Sequence, residues 1–208
     1  MAAVKAHTAD LATRLVDEAG RVLSEEGAVS LTLRRLAGRT GTSTMAVYTL
    51  FGDKQGLLAA MYREGYARLG AALDAAALGV DDPLTALATL GMAYRETALA
   101  NPHLYDLMFG RPVPSFEPDP EAKAVADASY RPLVAAVQRC LATGALVGGD
   151  AERTALHLWA VSHGMVSLEL AGHIQGDAAQ RAALYTDALI YASVPFLPPE
   201  QPPSPPRR

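Results

Sequence analysis

Apolar residues recur along this chain at three- and four-residue spacing, the period of helices that bury one face, and strand-like alternation is hard to find. Leu11, Leu15, Ala19, Val22 and Leu23 share such a face. They predict a helix over 9–26, capped by Thr8 and stopped by Gly27. Two short helices follow, 33–39 capped by Thr32 and 44–50 capped by Ser43, and then a long one from 54 to about 78 behind Asp53. Asp81-Asp82-Pro83 starts a helix that carries Leu84, Leu87, Leu90, Met92 and Tyr94. Asn101-Pro102 starts another, ending near Gly110. The four prolines of 111–120 make a loop, and Asp119-Pro120 opens a helix to about 143, bent at Pro132. After a break over 144–149, Asp150 caps a helix to about 171 and Asp177 a last one to about 194. The pattern is that of an all-α chain of about nine helices, without internal repeats.

Composition agrees with a folded chain, since half of the 208 residues are hydrophobic. The stretch 195–208 is different: it holds half of the fourteen prolines and is expected to be extended, and disordered beyond 198. With Cys140 as the single cysteine, no disulfide can close within the chain, which fits a reducing cytosol. Lys5, His7, Asp10 and Arg14 interrupt any secretory apolar segment, and no apolar run reaches the roughly 18 residues of a membrane span. A soluble, cytoplasmic protein without a membrane partner is expected. The net charge of −4 is unevenly spread: residues 1–68 carry nine basic and seven acidic side chains, the remainder nine and fifteen. A cationic head on an acidic body suits one end that faces phosphates.

Catalytic constellations are hard to find. His157, His163 and His173, read as lying on one helix, are spaced six and ten apart, which does not make an i, i+4 metal pair. Cys140 has no evident histidine partner, no glycine-rich phosphate loop occurs, and Asp81-Asp82 reads as a helix cap. Neither an enzyme nor a metal or cofactor site is expected.

The informative stretch is 31–58, LTLRRLAGRTGTSTMAVYTLFGDKQGLL. Leu33, Leu36 and Ala37 form the buried side of its first short helix, Val47 and Phe51 that of the second, and Ala37 is small enough for a close crossing. Gly41 between them can take the positive φ of a tight turn. This is a helix-turn-helix arrangement, whose second helix enters the major groove.

These residues resemble the TetR family of transcriptional regulators. The resemblance rests on Gly27, the run Thr32-Leu33-Arg34-Arg35-Leu36-Ala37, Gly41-Thr42-Ser43, the pair Tyr48 and Phe51, and Lys54, and it covers about the first 65 residues. It implies that Thr32 caps its helix and touches a phosphate, and that Arg34 reaches a base edge or a phosphate. It further implies that Ser43 caps a recognition helix whose Thr44, Met45 and Thr49 face the major groove. Tyr48 and Lys54 would contact phosphates, Lys54 from the first turn of the long helix. A solvated charged face is the competing reading for Arg34, Arg35 and Lys54. Two positions depart from the family pattern: Thr42 replaces a usual buried valine, and Leu50 a frequent polar residue near the DNA backbone.

The C-terminal half resembles one branch of that family through Asn101-Pro102-His103-Leu104-Tyr105-Asp106-Leu107-Met108-Phe109 and through a Trp-x-x-x-His-Gly motif at Trp159, His163 and Gly164. The resemblance implies a cavity for a small effector. Candidates for its wall are Met92, Tyr94, Tyr105, Met108, Phe109, Phe116, Tyr130, Trp159, His163 and Met165, aromatics and methionines that suit a largely apolar molecule and would equally fill a core. The last two long helices are expected to pair with those of a second copy, with Leu156, Val161, Leu168, Leu184, Leu189 and Tyr191 at the seam or in the core. The expected organisation is a DNA-binding head over 1–53, an effector and dimerisation domain over 54–197, and a tail over 198–208. The expected function is a ligand-responsive dimeric repressor of a palindromic operator. Two other classes stay open: a ligand-binding protein that keeps this fold without binding DNA, and an interaction module acting through the acidic body and the tail.

Overall fold

A computed structural model describes residues 2–199 of the chain. Among them are nine α-helices and no strand, as the periodicity predicts: α1 Ala2–Glu26, α2 Leu33–Thr40, α3 Thr44–Phe51, α4 Lys54–Ala77, α5 Pro83–Ala100, α6 Pro102–Tyr105, α7 Pro120–Thr143, α8 Ala151–Leu170 and α9 Ala178–Ser193. α6 runs into a π-helical turn, Asp106–Gly110, and α9 into a 3₁₀ turn, Val194–Phe196. No described helix is long and apolar enough to cross a membrane.

Side-chain caps start several of these helices. Asp82 Oδ2 accepts from the Thr85 amide at 2.8 Å, Asp119 Oδ1 from Ala122 at 2.7 Å, and Asp150 Oδ1 from Arg153 at 3.1 Å. Asp177 and Gln180 form a reciprocal capping box at the start of α9. Two expectations need correction, at Thr8 and at His173. α1 begins before Thr8, which lies inside the helix, because the alanine-rich residues before it favour a helix. Asn101-Pro102 does start α6, without a side-chain cap: the Asn101 amide donates to the Thr97 carbonyl at 2.9 Å and its oxygen accepts from Arg68 at 2.7 Å. α7 holds Pro132 inside it and ends at Thr143, as expected. α8 ends at Leu170, so His173 does not share it. The tail expected beyond 198 lies almost wholly outside the described residues.

The chain forms two compact units, one of residues up to 72 with 96–130, the other of 73–95 with residues from 131 onward. In the first, Leu15, Ala19, Val22 and Leu23 of α1 meet Leu36 and Ala37 of α2, Val47 of α3, and Leu57, Leu58 and Met61 of α4 in one buried core. The second unit is pinned by a buried ion pair. Arg95 donates twice to the Glu169 carboxylate, both bonds 2.7 Å, and the two side chains are only 8% and 5% exposed. Arg181 of α9 adds a third bond at 3.1 Å, and Tyr185, stacked 5.7 Å from Arg95, donates to the Gly91 carbonyl at 2.8 Å. The arginines hold the Glu169 carboxyl below its ordinary range despite its burial. Cys140 is buried, donates to the Pro83 carbonyl, and its thiol is pushed up by desolvation, which makes it a poor nucleophile.

Arg111, after the π turn, is the one non-glycine residue with positive φ among the described residues, at 53°. A side chain costs about 1–2 kcal/mol in that region. Its ion pair with Glu117, 3.6 Å long with both side chains exposed, contributes little. Arg111→Gly is therefore expected to stabilise the protein by about 1 kcal/mol, read as a raised midpoint of thermal unfolding. An unchanged or lowered midpoint would show that the guanidinium matters more than the backbone.

Candidate functional site

The turn between α2 and α3 is built by two caps and a glycine. Thr32, extended at φ −125°, accepts from the Arg35 amide at 3.2 Å and starts α2. Gly41 ends α2 in the left-handed region at φ 68°, and the amides of Gly41 and Thr42 both return to the Ala37 carbonyl. Ser43 then accepts from the Ala46 amide at 3.1 Å and starts α3. At the other end Gly52, φ 74°, closes onto Tyr48, and Asp53 caps α4 through the Gly56 amide at 2.8 Å. Each capping hydroxyl uses a lone pair, so its O–H remains available to a phosphate.

With Val47 fully buried on the inner side of α3, the outer side carries Thr44, Met45, Tyr48 and Thr49, at the spacing of one helical face. Met45 is 75% exposed and Tyr48 51%, large side chains left in solvent beside a closed core. The Thr49 hydroxyl donates to the Met45 carbonyl at 2.8 Å, which leaves its oxygen as an acceptor and its methyl outward. Arg34 is exposed and, among the described residues, pairs with no carboxylate. Lys54 is half-buried, and its ammonium donates to the Ala28 carbonyl, tying the start of α4 to the α1–α2 loop. Two further N–H groups of that ammonium remain. Of the departing positions, Thr42 is half-buried and Leu50 packs against the core of the head.

The ten candidate effector residues divide evenly between the units. In the first unit, Tyr105, Phe109 and Phe116 join an aromatic cluster with Tyr62 and Tyr66 of α4: Tyr105–Phe109 centroids are 4.8 Å apart, Tyr66–Phe109 5.7 Å, Tyr62–Tyr66 4.9 Å and Tyr62–Phe116 5.9 Å. Met108 lies against Gly65, where a β-carbon would come within 2.5 Å of its sulfur. Tyr130 is half-buried at the middle of α7. Burial holds the Tyr66 phenol well above its ordinary value, so it stays protonated. In the second unit, Tyr94 Oη lies 3.2 Å from His163 Nδ1 and accepts from Trp159 Nε1 at 3.4 Å, and the Trp159 and His163 rings are 5.8 Å apart. Met92 and Met165 are half-buried, the former a weak acceptor for Thr186 at 3.8 Å.

α8 and α9 of the second unit pack together and leave Leu156, Leu168, Leu184, Ile190 and Tyr191 exposed, the last at 74%. Val161 and Leu189 are half-buried.

Two family models match the chain. Residues 15–61 match that of bacterial regulatory proteins of the tetR family, and residues 87–190, half of the chain, that of the tetracyclin repressor-like C-terminal domain. The chain belongs to the TetR family. That is a family of DNA-binding transcriptional regulators rather than of enzymes. A curated relative, the HTH-type transcriptional regulator Rv1816 of Mycobacterium tuberculosis (strain H37Rv), is 30% identical over 116 residues, 53% of this chain and 48% of that protein. The chain thus spans about half the length of the curated relatives it matches. A protein of unknown function from Rhodococcus sp. RHA1 has a similar structure, with TM-score 0.77 and 30% identity over 90% of this chain and 96% of that one. The TetR family regulator PfmR from Thermus thermophilus shares the fold, with TM-score 0.70 and 23% identity over 88% and 97%.

Three features escaped the sequence reading. Tyr62 and Tyr66, four residues apart on α4, carry an aromatic spacing that could have marked them. Arg95 and Glu169 are 74 residues apart, and no local signal joins them. The pairing of Arg35 and Arg39 with acidic residues of α1 was visible only as opposite charges on neighbouring helices.

Two partly buried histidines are expected to give this TetR protein a pH dependence. Burial lowers both His103 and His163 from the ordinary 6.5, and nearby Arg21 lowers His103 further. A lowered value means that the unfolded chain takes up the proton first, so stability is full above about 6.5 and falls as the pH drops below it. The thermal midpoint is expected to fall between about pH 7.5 and about pH 5.5, and the double variant His103→Asn/His163→Asn to flatten that fall. An equally steep fall in the variant would assign it to other groups.

Proposed function

We propose that this chain is a ligand-responsive repressor that binds a palindromic operator as a homodimer and is released by a small, largely apolar effector. The observation that carries the reading is the outer face of α3: Met45 and Tyr48 stand in solvent between two threonines, on a helix whose inner Val47 is fully buried. Such a face suits the major groove, where methyl groups and base edges are offered together. Arg34, Tyr48, Lys54 and the hydroxyls of Thr32 and Ser43 position the head on phosphates, and Thr44, Met45 and Thr49 read sequence. The exposed face of α8 and α9 supports the dimer, in which two copies place two α3 helices in successive major grooves. The head comprises residues 1–53, the effector and dimerisation domain 54–197, and the tail 198–208. The chain works where the DNA is, in the cytoplasm.

The aromatic and methionine side chains of the two clusters support an apolar effector. In the second cluster Tyr94, Trp159 and His163 supply the few polar groups that orient such a molecule. Release requires the effector to favour a conformer with wrongly spaced heads, because equal binding to both conformers shifts nothing. α4, continuous from the head onward, is the natural lever.

Selection from random duplex DNA is expected to return a palindrome bound in the nanomolar range. Weak binding without a consensus would defeat the regulator reading and favour a ligand-binding protein. On the selected site, Lys54→Ala is expected to lower the slope of log affinity against log salt by about 1 per head. If melting changes and the slope does not, the residue serves only its bond to Ala28. Thr49→Val removes an acceptor and keeps a methyl, so it is expected to lose preference at one base pair per half-site, where adenine or cytosine offers an amino group. An unchanged base profile would take Thr49 out of the readout.

A further inference from the structure

Among the described side chains up to residue 68, eight are cationic, and most are neutralised within the protein. Arg14 pairs with Asp10 at 3.4 Å, Arg21 with Glu18 at 2.7 Å, Arg63 with Asp119 at 3.3 Å, and Arg68 with Asp17 at 2.9 Å and Glu64 at 2.8 Å. The three arginines of α2 differ among themselves. Arg35 is clasped by Glu26. Arg39 is held by Glu18 and, at 2.8 Å, by Glu26 as well. Arg34, next to Arg35 but turned about 100° around the helix, pairs with no carboxylate among the described residues. Lys54 reaches only a carbonyl oxygen.

Pairs whose arginines are this exposed add little stability. Their larger effect is on where the charge of α2 points. Sequence-independent binding to DNA comes almost entirely from cations that neutralise phosphates, so an arginine held by a carboxylate of its own protein is withdrawn from it. We infer that Glu26, supported by Glu18, is a specificity-determining residue: it holds the guanidinium groups of Arg35 and Arg39 against α1 and so keeps attraction to any duplex low relative to attraction to the operator. Each head then offers phosphates Arg34 and Lys54, and the uncharged face of α3 carries the discrimination. The inference rests on the DNA-binding reading proposed above.

The test compares the full-length native chain with Glu26→Gln, Arg34→Gln, Arg35→Gln and Glu26→Gln/Arg35→Gln. Each is titrated by fluorescence anisotropy against a random-sequence duplex and against the selected operator at several salt concentrations, with thermal melting as a control of folding. Glu26→Gln is expected to bind the random duplex more tightly at low salt. Its salt slope should steepen by about 0.9 per head, which is about threefold in affinity between roughly 50 and 200 mM. Its ratio of operator to random affinity should fall. Arg35→Gln should leave the native slope unchanged yet cancel the gain in the Glu26→Gln background, whereas Arg34→Gln should lower the native slope by about 0.9 per head. A folded Glu26→Gln with the native slope overturns the inference, as does an Arg35→Gln that alone lowers the slope as much as Arg34→Gln. Should Glu26→Gln not fold, the contrast between Arg34→Gln and Arg35→Gln decides. A native chain that binds neither duplex overturns the regulator reading and this inference together, whereas native binding with an unmoved Glu26→Gln overturns this inference alone.

Discussion

A helix of eight residues does not hold its shape alone in water, being well short of the roughly 12–15 that make an isolated helix even marginal. α3 is that short. Its conformation is borrowed from Val47, fully buried against α1, α2 and α4, and from its two ends, where Ser43 satisfies an amide and Gly52 turns the chain away. Most of the first unit serves this constraint. α1 and α4 are long because they must form a core around two helices too small to make one. The outer face of α3 is thereby free to carry side chains that contribute nothing to folding.

The second unit follows a different principle. Its helices are long enough to persist, and what needs fixing is their register. The Arg95–Glu169 pair on α5 and α8, the third bond from Arg181 on α9 and the Tyr185 bond to Gly91 all act across helices that apolar packing alone would let slide. Nearby, Tyr94, Trp159 and His163 add a second polar contact between α5 and α8.

Local signals were read well from the residues. The helix periods, the caps at Thr32, Ser43, Asp150 and Asp177, and the left-handed Gly41 are each decided within a few residues, and the all-α fold follows from them. Thr8 misled because a capping residue is also tolerated inside a helix when its neighbours favour one. The family motif marked Lys54 but could not show that a carbonyl 26 residues earlier holds its ammonium. For the effector, sequence offered only a pool of aromatics and methionines. Their sorting into two clusters depends on which helices pack together, and that is set by the whole chain.

The buried Arg95–Glu169 pair also constrains how this protein can diverge. Losing either partner strands a charge in the interior at a cost of about 3–5 kcal/mol, a large share of what holds a domain of this size together. An exposed pair such as Arg14 with Asp10 can be lost one side at a time with little effect. The two buried positions can be abandoned only together, or after a neighbour such as Arg181 has taken over the carboxylate. Descendants of this sequence should therefore change freely around the pair long before they change it.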